Sequence, residues 1–143
     1  MIPNFEQKLI DYPWMKISRY EGANHHPYEA WGCECGRGWL NLIRGMCQDL
    51  TELYQSKGKE VNLVPSQIKE KFGTLRLYID FPFDEEPDDE LRSAVRQILS
   101  KWEEASVTVC ENCGNEGSLR RGSWLQTLCD KCYKGLNKES EEN

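Results

Sequence analysis

Four cysteines near the end of the chain are the residues whose type and spacing point most directly to chemistry. Cys110 and Cys113 form one C-x-x-C pair, and Cys129 and Cys132 form a second pair after fifteen intervening residues. This spacing is typical of zinc sites in which four thiolates bind the ion at about 2.3 Å in tetrahedral geometry. Because such a set leaves no coordination position for water, the sequence predicts a structural Zn²⁺ ion and assigns no catalytic residue.

The residues around these cysteines predict a module with the order knuckle, hairpin, helix. Gly114 directly follows the first pair, where the backbone must turn tightly around a metal. The stretch SLRRGSWLQTL is typical of a hairpin that turns at residues 121 to 123, and CDKCYKGLNKE is typical of a helix. This is the order of a treble-clef zinc module. Zinc binding supplies on the order of 10 kcal/mol and so decides whether such a segment folds. The alternative is four unrelated buried thiols.

A second cluster of metal-ligand residue types lies earlier in the chain. Cys33, Cys35 and Cys47, together with His25, are candidates for a second metal site, although C-x-C is less usual than C-x-x-C. The alternative is buried thiols and loop histidines. A cysteine nucleophile, Cys35 or Cys47 near His25 or His26, is also conceivable and would suit a small hydrolase or nucleotide-binding protein that uses His25, His26 and Cys35. The chain contains none of the motifs G-x-x-x-x-G-K-[ST], G-x-G-x-x-G, H-E-x-x-H or G-x-S-x-G.

Composition and charge limit the class of protein. The chain has 143 residues, five Trp and six Tyr, which is enough for a folded domain with a small appended module. A net charge of -6 argues against salt-driven coating of nucleic acid or anionic membrane. Seven cysteines, an odd number, exclude a complete internal disulfide framework. With neither a secretion-signal pattern nor a membrane-length apolar run, the sequence predicts a cytoplasmic protein.

Apolar periodicity predicts an α+β fold in which helices pack on a small antiparallel β-hairpin or sheet. The predicted elements, in chain order, are a short helix over residues 4 to 11 capped by Asn4, a structured loop from Tyr12 to Gly38, a helix from Trp39 to Tyr54 that ends near Gly58, a hairpin over residues 67 to 81, a helix over residues 88 to 104, and a strand of Val107 and Val109. We expect residues 1 to 106 to form the core, 107 to 136 the zinc module, and 137 to 143 a mobile polar tail. The acidic run of residues 84 to 90 is better explained by helix capping than by mimicry of DNA.

The predicted hairpin combines two unfavourable features. A type II′ turn at Gly73 and Thr74 places Lys71 opposite Arg76 and puts Glu70 on an apolar face. Like charges across a ladder destabilise it, and a carboxylate on an apolar face is costly unless a basic residue pairs with it. Arg44 and Arg92 are candidates for pairing with Glu70, and Phe72 shares its face. Both features suggest a surface that binds an anion or a partner. The alternative is that Glu70 lies at the periphery and the lysines extend into water.

The residues expected to contact a partner are basic or aromatic and lie on this hairpin or in the zinc module. They are Lys69, Lys71, Arg76, Tyr78, Arg120, Arg121 and Trp124. Trp124 has a second interpretation as the core of the module.

Three stretches of the chain carry a resemblance to known proteins, and they are ECGRGW, QIKEKFGTLRLY, and CENCG followed by SLRRGSWLQTLCDKC. Together they resemble a family of small, largely uncharacterised proteins encoded in bacterial genomes and phages. The resemblance covers about residues 33 to 132, and its motifs are C-G-x-G-W, K-E-K-F-G-x-L-R-x-Y, C-x-x-C-G and G-W-x-x-T-L-C-x-x-C. Ser123 stands between Gly122 and Trp124 and so departs from the last motif. The resemblance implies no established activity. By association, occurrence in phages implies an accessory or host-defence-related role.

The sequence therefore predicts a non-enzymatic, zinc-stabilised protein that binds another macromolecule, most simply a protein. Its specific form would be a phage or mobile-element inhibitor of a host defence system, or an immunity-type protein. The first alternative is a nucleic-acid-binding zinc protein that uses the basic face of the hairpin. The second is the small hydrolase or nucleotide-binding protein introduced above.

Overall fold

The computed structural model describes Ile2 and residues 5 to 15, 33 to 82 and 87 to 141. It confirms an α+β fold with a C-terminal cluster of four cysteines. The helices are α1 (Phe5–Lys8), α2 (Leu40–Ser56), α3 (Asp89–Ser106) and α4 (Asp130–Glu141), and 3-10 turns cover Pro13–Met15 and Arg37–Trp39. The strands are β1 (Cys33–Glu34), β2 (Val64–Lys71), β3 (Thr74–Asp80), β4 (Ser118–Arg120) and β5 (Gln126–Leu128). Among the described residues, no helix is both long enough and apolar enough to cross a bilayer.

The two long helices confirm the periodicity of the sequence. α2 buries Cys47 in the core as predicted, and it ends where Gly58 takes a φ of 67°. α3 begins one residue after Asp88, whose carboxylate accepts a hydrogen bond from the backbone N–H of Leu91 at 2.7 Å. Asp88 is therefore a helix cap, as expected for this part of the acidic run. Residues 84 to 86 of that run lie outside the described residues.

The strands form two small sheets. The larger has the order β1-β2-β3, with β1 parallel to β2 and β2 antiparallel to β3; β4 and β5 form a separate antiparallel pair. β1 was not predicted, because a two-residue strand carries no periodic signal. Its Cys33 lies opposite Ile68, which is fully buried in the core cluster.

The turn of the β2–β3 hairpin differs from the predicted one. Phe72 and Gly73 are its central residues, with φ values of 54° and 82°. Positive φ at both positions is the signature of a type I′ turn, so the predicted type II′ turn at Gly73 and Thr74 is wrong. Phe72 consequently lies at the tip of the hairpin and is 65% exposed, instead of on the apolar face.

The predicted register is wrong for the same reason. Lys71 lies opposite Thr74, and Lys69 is the residue that faces Arg76. Each β3 partner is displaced by two residues from its predicted position. Since side chains alternate with a period of two, this displacement leaves the composition of each strand face unchanged apart from the loss of Phe72.

Three further predictions differ from the structure at the ends of elements. α1 covers only Phe5–Lys8, and the predicted cap Asn4 lies outside the described residues. Val107 and Val109 do not form a strand, because Val107 is in a turn and Val109 makes only an isolated bridge with Glu116. α4 continues through residues 137 to 141, which were predicted to be part of a tail.

Candidate metal centre

The four predicted ligands lie together. The sulfur atoms of Cys110, Cys113, Cys129 and Cys132 are all within 4.8 Å of one another, and the sulfurs of Cys113 and Cys129 are 3.6 Å apart. A tetrahedral zinc ion with bonds of about 2.3 Å places its sulfur ligands about 3.8 Å apart. The cluster therefore has the dimensions and the donor chemistry of a four-thiolate site, and it could bind a metal ion.

The local structure around the first pair follows the predicted knuckle. The backbone N–H of Gly114 donates to the carbonyl of Cys110 at 2.9 Å, and Gly114 takes a φ of 86°. This backbone conformation is open to glycine and costly for most other residues. Cys129 directly follows β5, and Cys132 lies in the first turn of α4. The order knuckle, hairpin, helix is thus confirmed.

Hydrogen bonds around the sulfurs favour ionised thiols at some positions and neutral ones at others. Burial opposes ionisation of Cys110, but backbone N–H groups of Asn112, Cys113 and Cys129 outweigh it and lower the pKa of this thiol to about 6. The Asn112 amide donates to the Cys132 sulfur at 3.2 Å. Desolvation and hydrogen bonds with the other three thiols outweigh that contact and raise the pKa of Cys132 to about 12. Thiols this close share protons, and a bound cation would allow all four to ionise.

Two glycines of the C-G-R-G-W stretch let the knuckle pack directly on the core. A Cβ on Gly36 or on Gly38 would collide with the backbone carbonyl of Glu111. The N–H of Gly38 donates to that carbonyl at 2.8 Å, and the N–H of Gly36 donates to the Glu111 carboxylate at 2.8 Å. Trp39, which is fully buried, donates its indole N–H to the carbonyl of Val109 at 2.8 Å. The metal module is therefore docked on the core through its backbone.

Glu111 is a partly buried carboxylate at this junction. Desolvation raises its pKa above the ordinary value, the hydrogen bond from Gly36 acts in the opposite direction, and the negative charge of Glu70 raises the pKa further. The backbone N–H of Glu111 donates to the carbonyl of Thr127 at 3.0 Å. Glu111 thus ties the knuckle both to the core and to β5.

The tip of the β2–β3 hairpin forms the second contact between core and module. Glu70 accepts a hydrogen bond from the backbone N–H of Gly73 at 2.8 Å, which explains a carboxylate on this face of the strand. The predicted pairing of Glu70 with Arg44 or Arg92 is wrong, since Arg44 lies 3.7 Å from an aspartate and Arg92 stacks over an aromatic ring. The buried hydroxyl of Thr127 donates to the carbonyl of Gly73 at 2.6 Å.

Arg120 holds the parts of the module together. Its Nε donates to the carbonyl of Leu128 at 3.1 Å, and its Nη2 donates to Asp130 at 2.6 Å. The guanidinium also lies 4.6 Å from the centre of the Tyr133 ring. Through its hydrogen bond and charge, Arg120 lowers the pKa of Asp130. Arg120 was predicted to contact a partner, and this stays a prediction for a side chain that is engaged within the module.

The remaining predicted contact residues differ in how far their side chains are engaged by other groups of the protein. The ammonium of Lys69 lies 5.7 Å from the centre of the Tyr78 ring, and Tyr78 is 38% exposed. Arg76 forms an ion pair with Glu103 at 2.9 Å, which offsets the like charge of Lys69 across the ladder.

At the tip of the hairpin, the ammonium of Lys71 lies 5.8 Å from the centre of the Phe72 ring. Arg121 is exposed, and Trp124 is 68% exposed. The interpretation of Trp124 as the core of the module is therefore wrong. Lys71, Arg121 and Trp124 all lie at the surface, where the proposed contacts require them.

The second predicted cysteine cluster is brought together only in part. The sulfurs of Cys33 and Cys35 are 3.2 Å apart, and both residues are buried. Within the described residues, Cys33, Cys35 and Cys47 do not form a three-ligand group of metal-site dimensions. His25 and His26 lie outside the described residues, so the second metal site stays a prediction.

The electrostatics of these buried thiols oppose a nucleophilic role. The hydrogen bond with Cys33, reinforced by burial, raises the pKa of Cys35 far above its usual range. Desolvation raises the pKa of Cys47 to about 12. Because the thiolate is the nucleophile, these raised pKa values disfavour a nucleophilic role for both residues.

Sequence reasoning missed the roles of Glu111 and Thr127. Each depends on a contact with a residue distant in the chain, and no local pattern marks it. Gly36 and Gly38 did carry a signal, because two glycines immediately before a large buried aromatic residue suggest a close backbone approach. The segment that approaches them could not be identified from sequence.

Comparison of the chain with protein-family models, with curated proteins and with solved structures gives no match.

Proposed function

We propose that the protein is a non-enzymatic binding protein, stabilised by one structural zinc ion, that acts through contact with another protein. The observation that carries the proposal is the direct attachment of the four-cysteine module to the tip of the β2–β3 hairpin through Gly73 and Thr127. Zinc suits the four-thiolate donor set, which leaves no coordination position for a substrate or a water molecule. The ion would stabilise the module, and the module would stabilise the hairpin tip beside it.

The surface residues near this attachment are of the types that dominate protein interfaces. Trp124 and Phe72 are 68% and 65% exposed, and Lys69, Lys71 and Arg121 bring positive charge to the same two hairpins. Exposed aromatic residues are enriched at the energetic centres of interfaces. The exposed positive charges of Lys71 and Arg121, with the half-buried Lys69 beside them, favour an acidic partner although the net charge of the chain is -6.

The cavity lined by Tyr54, Phe81 and Leu91 gives less support to an enzyme. It has a volume of about 690 Å³, and neither cysteine nor histidine is among its described lining residues. Lys59 and Glu60 line it and provide the charged groups. These described lining residues therefore include no thiol or imidazole for a cysteine–histidine pair.

Affinity capture with the zinc-loaded protein would test the proposed function. One arm uses the wild type, a second uses Lys69→Ala/Lys71→Ala, and a third uses Lys8→Ala/Lys59→Ala, which removes the same charge from exposed lysines outside the two hairpins. We expect one stoichiometric protein that is retained by the third arm and lost from the second. Equal retention by all three arms, or turnover of nucleotide, peptide or ester substrates by the purified protein, would contradict the proposal.

A nucleic-acid-binding protein is the second candidate function. Its support is the stacking of Lys69 over Tyr78 and of Lys71 over Phe72, because aromatic rings beside basic groups also bind single-stranded nucleic acid. This alternative predicts an affinity for oligonucleotides that falls steeply with salt. Inhibition of a host defence system, or an immunity-type role, is the form of protein binding suggested by the resemblance to bacterial and phage proteins.

A further inference from the structure

The tip of the β2–β3 hairpin carries a residue type that its backbone conformation disfavours. Phe72 occupies the first central position of the type I′ turn with a φ of 54°. Positive φ is uncommon outside glycine, asparagine and aspartate, because the Cβ approaches the following carbonyl. Asn-Gly is the favoured sequence for this turn, and Phe-Gly stands in its place.

Burial does not explain the choice of phenylalanine. The side chain is 65% exposed, so most of its apolar surface gains nothing from packing within this chain. In the part of the chain that the structure describes, the ring contacts the ammonium of the neighbouring Lys71, 5.8 Å from its centre. Strain held at an exposed residue suggests a function for the side chain outside the fold itself.

Gly73, the second central residue of the turn, is held at both its backbone N–H and its carbonyl. Glu70 accepts the N–H of Gly73 at 2.8 Å, and Thr127 donates to the carbonyl of Gly73 at 2.6 Å. Gly73 also packs against Leu119, since a Cβ on Gly73 would lie 2.5 Å from the Leu119 Cδ1 atom. The ring of Phe72 is thus attached to a rigid backbone, which lowers the entropy lost on binding.

The surroundings of Phe72 indicate the chemistry of what would bind there. Leu119, which contacts the turn, is 38% exposed, and Lys71 and Lys69 flank the turn on β2. The carboxylate in the same stretch, Glu70, is engaged with Gly73. A complementary surface would therefore place an apolar pocket around the ring and acidic side chains around that pocket.

We propose that Phe72 is the anchor residue of this protein, inserted on binding into an apolar pocket with an acidic rim on a partner protein. This inference rests on the proposed function and specifies the contact that the partner makes. Phenylalanine at position 72 lowers stability and raises affinity. Its replacement should therefore change these two quantities in opposite directions.

The first measurement is thermal unfolding of zinc-loaded full-length protein. Phe72→Asn creates the favoured Asn-Gly turn, and we expect its Tm to rise by about 3 °C. Phe72→Tyr retains both the aromatic ring and the strain, so its Tm should equal that of the wild type. A lower Tm for Phe72→Asn would show that Phe72 stabilises the fold, and it would overturn the proposal.

The second measurement is the Kd for the partner, identified by photo-crosslinking from a benzophenone amino acid at position 72 and then purified. Phe72→Asn should raise the Kd at least about 30-fold, as expected for an anchor residue. Ile10→Asn should leave it within about 2-fold, because Ile10 is a similarly exposed apolar residue, 62% exposed, that lies near α1 and outside the hairpin. Higher salt should weaken binding through Lys69 and Lys71.

The remaining outcomes show whether the Phe72 anchor or the proposed binding of a protein is wrong. If a partner is bound equally by Phe72→Asn but lost on Lys69→Ala/Lys71→Ala, the anchor is wrong and the proposed function stands. If a single-stranded oligonucleotide, and no protein, is bound and lost on Phe72→Asn, both the protein partner and its pocket are wrong. If no protein crosslinks at position 72, the anchor is overturned.

Discussion

Replacing Gly38 by alanine should weaken the attachment of the metal module to the core. The added Cβ would collide with the backbone carbonyls of Cys110 and Glu111. These atoms belong to the knuckle and cannot rotate away as the end of a side chain could. Relief of the collision requires the knuckle to move outward, which stretches the hydrogen bonds from Gly38 to Glu111 and from the Trp39 indole to Val109, each 2.8 Å long.

The cost can be worked from these contacts. Two hydrogen bonds contribute about 1 kcal/mol each, and overpacking in a close contact costs about 1 to 3 kcal/mol. Partial relaxation limits the sum, so we expect Gly38→Ala to lower the free energy of unfolding by about 3 kcal/mol. For a chain of this size that corresponds to a fall in Tm of about 10 °C.

The assay is urea unfolding followed by tryptophan fluorescence, with zinc stoichiometry measured on the same samples. Gly122→Ala is the matched control, because the same substitution at Gly122 meets no atom within 4 Å. Gly38→Ala should bind the metal with unchanged stoichiometry, since it removes no ligand. If Gly38→Ala unfolds at the same urea concentration as Gly122→Ala, the direct backbone packing of knuckle on core is refuted.

Three further predictions concern the thiols and the turn. Cys129→Ser should reduce bound zinc from one equivalent toward none and increase amide hydrogen exchange across the module. Cys47→Ala should retain the metal. Zinc bound to the Cys129→Ser protein at the wild-type level would contradict the assignment of Cys129 as a ligand. Burial raises the pKa of Cys47 to about 12, and the thiolate becomes abundant only as the pH approaches that value. Cys47 should therefore resist iodoacetamide at pH 8 in the folded protein and react once the protein is denatured. Glu70→Ala should lower the free energy of unfolding by about 1 kcal/mol through loss of the bond to Gly73, with Glu70→Gln retaining most of it; equal stability of Glu70→Ala and wild type would remove the proposed role.

The sequence predicted correctly those features that depend on neighbours along the chain. The spacing of Cys110, Cys113, Cys129 and Cys132 identified a cluster that the structure brings together, and Gly114 has the positive φ expected after the first pair. The two long helices also followed from their apolar period. In each case the determining interactions extend over a few residues, so the pattern is visible locally.

The hairpin shows where local reasoning was insufficient. The sequence favoured a turn at Gly73 and Thr74, because Gly at the first central position avoids strain. The structure places Phe72 and Gly73 there, and the contacts that favour this choice come partly from Thr127, 54 residues away. A register set in part by such a contact cannot be inferred from the strand alone.

The amino-acid sequence by itself determined the ligand types, their spacing and the apolar faces of α2 and α3, since each is a property of short stretches. Only the tertiary structure decided that Gly36 and Gly38 receive the knuckle, and that Gly73 meets Thr127 so that Phe72 is displayed at the tip of the turn. The physical reason is that these arrangements depend on backbone groups meeting across long sequence separations. Their hydrogen bonds involve N–H and C=O groups common to nearly all residues, so they leave little trace in residue type.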